Sequence, residues 1–209
     1  MKIVDLTLPY SETIAGFSSA PARKLDTDGW NASALQIYSH AGTHMDAPLH
    51  FGVSDFSIDQ FRPEDFMADR AWVVNVADCE EKYLITVEDL RGIAPFFRQG
   101  DSLLFKTNWY KRLGTDAYRN ALPRISEELA VWCVDNRVKI LGVEPPSVAD
   151  VNNMAEVTLI HKILLGKVII VEGLCDLDKI SGLSVKLIAL PLKIKGGDGA
   201  PCRVIAIEE

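Results

Sequence analysis

Three of the four histidines in this 209-residue chain fall within eleven residues, a clustering that a random sequence would almost never give. They are His40, His44 and His50, and Asp46 stands between the second and the third. Imidazole is the commonest metal ligand in proteins, and carboxylate oxygens often complete catalytic sites. Two imidazoles and one carboxylate from His40, His44 and Asp46 suit a catalytic first-row divalent metal, with zinc favoured and manganese also compatible.

The third histidine of the cluster, His50, is not needed for that ligand set and is free to move protons. A metal of this kind lowers the pKa of a bound water to about 7, so hydroxide can attack an amide, ester or lactone carbonyl at neutral pH. The cluster therefore predicts a metal-dependent hydrolase of a small molecule. A non-catalytic protein with a structural metal is the alternative, but structural zinc sites are usually closed and rich in cysteine, which this segment lacks.

Two further candidate ligands lie far from this segment in the sequence. His161 stands among apolar neighbours on a predicted helix, where a histidine is most often packed or caps the helix end. Glu172 ends a predicted strand that is otherwise apolar, and a carboxylate there must be exposed, paired or metal-bound. His161 and Glu172 could together ligate a second ion, with Asp46 bridging the two metals. The residues alone leave these alternatives open.

The first histidine of the cluster is predicted to end a strand. Residues 34–40 alternate in polarity, which is typical of a strand and puts His40 on its more polar face. Gly42 argues against a helix between the first two histidines and favours a turn. His40 before the turn and His44 after it would then converge, with Asp46 within reach of the same point.

The rest of the chain is predicted to alternate several strands with few helices. Residues 9–32 are polar and punctuated by glycine and proline, which is typical of a long loop. Strands are predicted at 2–8, 70–77, 102–107, 138–143, 167–172, 185–194 and 203–207, and helices at 86–93, 126–136 and 154–165. Because no linker or repeat interrupts the chain, we expect a single α/β domain over residues 1–209 with a mixed central sheet.

Charge and composition narrow the possible partners. The formal net charge is −7 and no Lys/Arg run is present, so nucleic acid and membrane surfaces are not expected partners, and a small-molecule substrate is. No stretch has transmembrane length, and the first residues lack the apolar core of a signal peptide. Four scattered cysteines, Cys79, Cys133, Cys175 and Cys202, indicate reduced thiols in a cytoplasmic protein.

The histidine segment also resembles a known signature. Residues 40–50 fit the pattern H-x-G-T-H-x-D-x-P-x-H of the bacterial cyclase-like metal-dependent hydrolases, a family that includes kynurenine formamidases and isatin hydrolases. Further likenesses to this family lie along the chain, at residues 1–10, 104–109, 141–148, 188–192 and 197–203.

The resemblance implies a specific division of the metal ligands. It implies that His40, His44 and Asp46 bind one ion, and that Asp46 bridges to a second ion held by His161 and Glu172. It also implies a swivelling β/β/α-type fold and assembly as a homodimer or homotetramer.

The activity that the resemblance implies is hydrolysis of a C–N bond other than a peptide bond, with His50 as the acid/base residue. An arylformamidase of the N-formylkynurenine type is the first expectation. A hydrolase of another cyclic amide or lactone, such as isatin, is the second.

Two positions depart from the family pattern. The formamidases carry a substrate-stacking tryptophan before a Pro-Gly in their first long loop, where this chain has residues 14–17, Ile-Ala-Gly-Phe. The aromatic candidates for substrate contact here are therefore Phe17 and Trp109, for which core packing is the alternative. The family's aspartate in the segment 141–148 is Glu144 in this chain, a change that bears on packing around the site.

Overall fold

The computed structural model of this protein describes residues 1–77 and 79–208. Most of the regular secondary structure in these residues is β-strand. The strands are β1 (Lys2–Asp5), β2 (Phe17–Arg23), β3 (Ala32–Ile37), β4 (His44–Asp46), β5 (Met67–Asn75), β6 (Leu84–Ile85), β7 (Ser102–Lys106), β8 (Arg124–Ile125), β9 (Ile140–Val143), β10 (Ile169–Glu172), β11 (Ser184–Pro191) and β12 (Gly199–Glu208). The α-helices are α1 (Leu25–Asp28), α2 (Asp116–Asn120), α3 (Glu127–Asp135) and α4 (Met154–Leu164). The expected class, mixed α/β with few helices, is confirmed.

Seven of the strands close into a barrel-like ring. Strands β5, β7, β9 and β10 are parallel neighbours, and β11 and β12 continue the sheet from β5 in antiparallel fashion. The short strand β4 pairs with β10 on one side and with the start of β12 on the other, which closes the ring. Strand β1 pairs with the far end of β12. The carboxyl ends of β7, β9 and β10 therefore meet at one end of the ring, next to β4.

The parallel strands are buried on both faces, which is why they are apolar almost throughout. Alternate residues enter two different clusters. Leu104 and Val171 pack on one face with residues of β1, β11 and β12. Leu103 and Ile170 pack on the other face beneath α3 and α4, together with Ile160. Each of these side chains contributes about 1.5–3 kcal/mol on burial, so the sheet holds the end of each strand in a fixed place.

The two longer helices start where the sequence predicts. The Ser126 hydroxyl accepts a hydrogen bond from the Leu129 N–H at 3.1 Å, and the Asn153 side chain accepts one from the Glu156 N–H at 3.2 Å. Each bond satisfies a backbone N–H group that the first helical turn leaves without a partner. Helix α4 lies against the sheet and puts His161 in its last turn, so the helix assignment for this residue is confirmed.

The prediction of a loop over residues 9–32 is wrong. Strands β2 and β3 form an antiparallel hairpin within and beyond that range, and α1 lies in the connection between them. The β2 residues are mostly exposed, so they lack the apolar alternation that normally marks a strand, whereas β3 overlaps the strand predicted over residues 34–40. Strand β3 also ends at Ile37, and His40 lies in the following turn rather than on the strand as expected.

Three smaller observations also bear on the sequence predictions. Residues 87–90 form a 3-10 turn rather than the predicted helix over 86–93, although Thr86 and Asp89 make a capping box at its start. Cys133, Cys175 and Cys202 are buried thiols without a disulfide. Among the described residues, no helix combines the length and hydropathy that crossing a membrane requires.

Candidate metal centre

The short strand β4 supplies two of the predicted ligands. Because successive side chains of a strand alternate, His44 and Asp46 point to one face while Met45 points into the core, where it is fully buried. On its two neighbouring strands, His44 stands opposite Glu172, and Asp46 stands opposite Gly199. The strand pairing thus brings together residues that are more than a hundred positions apart in the sequence.

A tight turn returns His40 to the same point. Gly42 has φ +60°, in the left-handed region that favours glycine, and the Tyr10 hydroxyl donates to the Ala41 carbonyl at 2.6 Å. Gly199 makes room for the imidazole, because a Cβ at that position would lie 2.6 Å from His40 Cε1. The predicted convergence of His40 and His44 through a turn is therefore what the structure contains.

Backbone carbonyls orient two of the imidazoles. His44 Nδ1 lies 2.9 Å from the Gly42 carbonyl oxygen, and His161 Nδ1 lies 2.7 Å from that of Val157. Since a carbonyl can only accept, each Nδ1 carries its hydrogen, and each Nε2 can bind a cation or, when protonated, donate to a carboxylate. Both Nε2 atoms face Glu172, at 3.1 Å from its Oε2 for His44 and 3.5 Å from its Oε1 for His161.

His40 and His50 stack on each other, with ring centroids 3.8 Å apart. His40 Nδ1 lies 2.8 Å from Asp46 Oδ1, and His40 Nε2 lies 3.0 Å from Asp198 Oδ2. Asp198 Oδ2 also lies 3.6 Å from His50 Nδ1. Asp198 thus contacts both rings from the side opposite Asp46.

The electrostatic environment shifts the pKa values of the two stacked histidines in opposite directions. Burial lowers the pKa of His40, but hydrogen bonds and charge from Asp46 and Asp198 outweigh it and raise the pKa to about 9. Burial lowers the pKa of His50, so His50 is the neutral partner of the stack. Burial opposes ionisation of Glu172, yet hydrogen bonds from His161 and His44 hold its pKa below the usual range.

The donor set fits divalent metal ions. Asp46 Oδ2 is buried and has no hydrogen-bond partner, a costly state unless a cation satisfies it. Two groups of potential ligands share Asp46, one with His40 and His50 and one with His44 and Glu172, with their ligand atoms within 4.8 Å of one another in each group. Nitrogen and oxygen donors in this mixture suit zinc or manganese.

This grouping differs from the one that the family resemblance implies. His44 lies with Glu172, its cross-strand neighbour, rather than with His40, and His50 lies with His40. His161 completes the second group, because its Nε2 is 3.6 Å from Asp46 Oδ2. All six predicted residues nevertheless meet at one place, with Asp46 between the two groups.

A second buried carboxylate, Glu144, lies outside the cluster although it follows the neighbouring strand β9. Its Oε2 accepts from the Thr107 N–H at 2.8 Å, the Thr107 hydroxyl at 2.9 Å and the Trp109 N–H at 3.1 Å. Burial raises the pKa of Glu144 to about 7, against the effect of these donors. Glu144 therefore holds the turn that follows β7, and it belongs to neither of the two groups of potential metal ligands found among the described residues.

An open cleft of about 300 Å³ leads to the cluster. His40 and His44 form its base, and residues of the first long segment, of α2 and of the turn before it form its walls. The lining residues are Thr13, Ile14, Ala15, Gly16, Tyr38, His40, Gly42, His44, Leu113, Tyr118, Arg119 and Pro146. The segment that carries tryptophan in the formamidases thus forms one wall here, without a large aromatic side chain at positions 14–16.

Neither predicted aromatic contact lines this cleft. Phe17 packs against Tyr10, with ring centroids 5.1 Å apart. Trp109 is only 2 % exposed, and its indole N–H donates to the Tyr118 carbonyl at 2.9 Å. Both side chains are used in packing, which was the alternative reading of each, and the structure does not support a substrate contact for either.

Three residues near the site escaped the sequence reasoning. Tyr38 and Tyr118 are the aromatic walls of the cleft, and Asp198 bridges the stacked histidines. The only sequence signal for Asp198 was its position between two glycines in the closing segment that resembles the family. Tyr118 lies on a five-residue helix, too short for its periodicity to be recognised.

Comparisons with known proteins agree with this geometry. A family profile described as "Putative cyclase" matches residues 4–150. A kynurenine formamidase from Salinibacter ruber is 31% identical over 184 residues, which are 88% of this chain and 82% of that protein. One from Erythrobacter litoralis is 30% identical over 183 residues, 85% of this chain and 77% of that protein. Isatin hydrolase A from Ralstonia solanacearum superimposes with a TM-score of 0.86 at 26% identity, over 99% of this chain and 92% of that one.

Proposed function

Because this chain belongs to the cyclase family, we propose that it is a metal-dependent hydrolase that cleaves a C–N bond other than a peptide bond in a small amide, with an aryl formamide as substrate. One observation carries the proposal. Asp46 joins two sets of nitrogen and oxygen donors, and its Oδ2 is buried without a hydrogen-bond partner. This arrangement serves cation binding, and it lies at the base of an open cleft.

The roles of the residues follow from their positions. His40, His44, Asp46, His161 and Glu172 would hold one or two divalent ions, zinc or manganese. When bound, such an ion polarises an amide carbonyl and makes water acidic enough to ionise near neutral pH. His50 lies beside the ligands, and Asp198 is within reach of its Nδ1. His50 accepts the proton of the attacking water and returns it to the leaving nitrogen.

Two features of the cleft favour an aromatic amide of modest size. Its volume of about 300 Å³ is at the lower end for small-molecule sites. Tyr38 and Tyr118 offer aromatic faces for an aryl group. Hydrolysis of an aryl formamide consumes one water and releases formate and an arylamine. N-formylkynurenine is the first substrate to test, since the curated relatives are named kynurenine formamidases.

A cyclic amide is the second candidate substrate class. The observation that favours it is the similarity to isatin hydrolase A, which covers almost the whole chain. Positions 14–16, which line the cleft, also lack the tryptophan of the formamidase pattern. The cleft therefore has one aromatic surface fewer for stacking the aryl group of N-formylkynurenine. Ring opening of a lactam uses the same attack on a carbonyl and leaves the amine attached to the product.

A substrate panel tests the proposal. The protein is reloaded with zinc or with manganese and incubated with N-formylkynurenine, formanilide, isatin and an aryl ester, and formate, amine and ring-opened product are measured. We expect hydrolysis of at least one amide, abolished by chelation and restored by the metal. Absence of hydrolysis of every amide with either metal would contradict the proposal.

We also propose that the chain acts as a homodimer or homotetramer. The β2–β3 hairpin is exposed, with Leu35 at 60% exposure, and Tyr38, which directly follows β3 and lines the cleft, is 59% exposed. A second copy that covered this hairpin would bury these side chains and narrow the cleft mouth. Light scattering coupled to size exclusion tests this, and a monomer at micromolar concentration would contradict it.

A further inference from the structure

The cleft above the metal cluster contains one fixed positive charge. Apart from the two histidines at its base, Arg119 is the only basic residue among its lining residues, and no carboxylate is among the described residues that line it. Arg119 lies on α2, next to Tyr118. Three acidic groups lie at the site: Asp46 and Glu172 contact His44, and Asp198 contacts His40 Nε2. None of the three is among the residues that line the cleft.

Arg119 is one of three arginines that have no ion pair with a carboxylate among the described residues, and the other two, Arg98 and Arg137, do not line this cleft. Among the described residues, seven of the ten arginines of this chain pair with a carboxylate within 4.0 Å; they are Arg23, Arg62, Arg70, Arg91, Arg112, Arg124 and Arg203. Arg112, one turn before α2, pairs with Glu81 and stacks on Trp109. Arg119 makes no ion pair and no side-chain hydrogen bond within the described ranges. Its guanidinium is therefore available to a ligand in the cleft.

The chemistry of such a ligand can be stated. A guanidinium presents two parallel N–H groups that match the two oxygens of a carboxylate. Tyr38 offers an aromatic face in the same cleft. The wall of the cleft is thus complementary to an aryl group that carries an anion.

We infer that the substrate of the metal site is an aryl amide bearing a carboxylate, and that Arg119 is the residue that selects it. This inference rests on the proposed function, since it assigns the substrate class of the same site. The metal-binding cluster would receive the amide carbonyl at the base of the cleft, and Arg119 would bind the carboxylate at its wall. An uncharged amide such as isatin would leave Arg119 without a partner.

Kinetics with a matched pair of substrates tests the selection. We compare 2-formamidobenzoate with its uncharged counterpart 2-formamidobenzamide, on metal-loaded wild type, Arg119→Gln, Arg119→Lys and the control Arg91→Gln, an exposed arginine outside the cleft. Loss of a charge-assisted pair should raise KM for the carboxylate about tenfold in Arg119→Gln, with kcat little changed. The uncharged substrate should be unaffected, Arg119→Lys should recover part of the loss, and Arg91→Gln should match wild type. Equal effects on both substrates, or none, would overturn the inference.

A binding measurement separates this inference from the proposed function. Calorimetry with 2-aminobenzoate and 2-aminobenzamide on the metal-loaded protein requires no turnover. We expect the carboxylate to bind wild type more tightly than the carboxamide, and Arg119→Gln to remove most of that difference. If wild type binds both equally, or if Arg119→Gln leaves the preference intact, Arg119 does not select an anion. If the preference depends on Arg119 but neither formamide is hydrolysed, the anion site stands and the proposed reaction fails.

Discussion

Glu172 and His44 face each other across the pairing of β10 with β4, with 3.1 Å between Glu172 Oε2 and His44 Nε2. Glu172 Oε1 accepts from the Val148 N–H at 2.7 Å, which fixes the carboxylate plane. His44 is fixed in turn by its bond to the Gly42 carbonyl. Hydrogen bonds from outside the pair thus orient both side chains, as the outer partners of metal ligands commonly do.

We predict that Glu172→Gln loses about one metal equivalent per chain while the protein stays folded, because the amide replaces a charged ligand with a weak neutral one. Elemental analysis after reloading and dialysis measures the loss. The matched control is Glu144→Gln, which changes a carboxylate that is equally buried at the end of the neighbouring strand but lies outside the cluster. Equal metal content in the two variants would remove Glu172 from the ligand set.

The sequence predicted the position of the cluster better than the elements around it. His40, His44 and Asp46 are separated by few residues, so their type and spacing were sufficient. His161 and Glu172 are brought to the site by packing between α4 and β10, and the residues alone left their roles open. The strand predicted over residues 34–40 overlaps β3, but β2 was missed because exposed strands need no apolar alternation, and Pro21 within β2 is atypical of a strand. Asp198 could not have been found from spacing, since it lies 158 residues from His40.

The contact between Asp198 and His40 predicts that Asp198 affects the metal site, although Asp198 lies outside the histidine motif. Its Oδ2 lies 3.0 Å from His40 Nε2, so it would orient the ring of a proposed metal ligand from outside the cluster. We expect Asp198→Asn to weaken metal binding or catalysis roughly 10- to 100-fold, the usual cost of losing such a partner. Competition with a chromophoric chelator measures the affinity. Asp178→Asn, which removes a partner of Lys111 away from the site, serves as control. Unchanged affinity and kcat in Asp198→Asn would make its contact with His40 incidental.

His50 is the residue for which ligand and proton carrier must be distinguished. It stacks on His40, and it also falls in one of the two potential ligand groups. We predict that His50→Ala keeps the metal content of wild type and loses hydrolysis by about 10²–10⁴-fold, the usual contribution of a general acid or base. Metal analysis and kcat are measured on the same preparation. Parallel loss of metal and activity would instead place His50 among the ligands.

Glu144 makes the stability of the protein depend on pH in an unusual direction. Its pKa is raised from the model-peptide value of 4.5 to about 7 by burial, so the folded state holds a proton that the unfolded state has released between these values. Stability from this group is fully present below about pH 4.5 and is lost as pH rises through about 7, by on the order of 3 kcal/mol in total. A neutral side chain of the same shape should not show this loss.

Glu144→Gln should therefore be more stable than wild type at pH 8, by on the order of 3 kcal/mol, and nearly equal to it at pH 5. Its amide oxygen can still accept from Thr107 and Trp109, so the turn after β7 should be retained. Urea unfolding at both pH values measures the difference. It is done on chelator-treated protein, because metal binding itself depends on pH. Glu80→Gln, which neutralises an exposed carboxylate, should shift neither value. A Glu144→Gln variant that is less stable than wild type at pH 8 would mean that the ionised carboxylate is a net support of this turn.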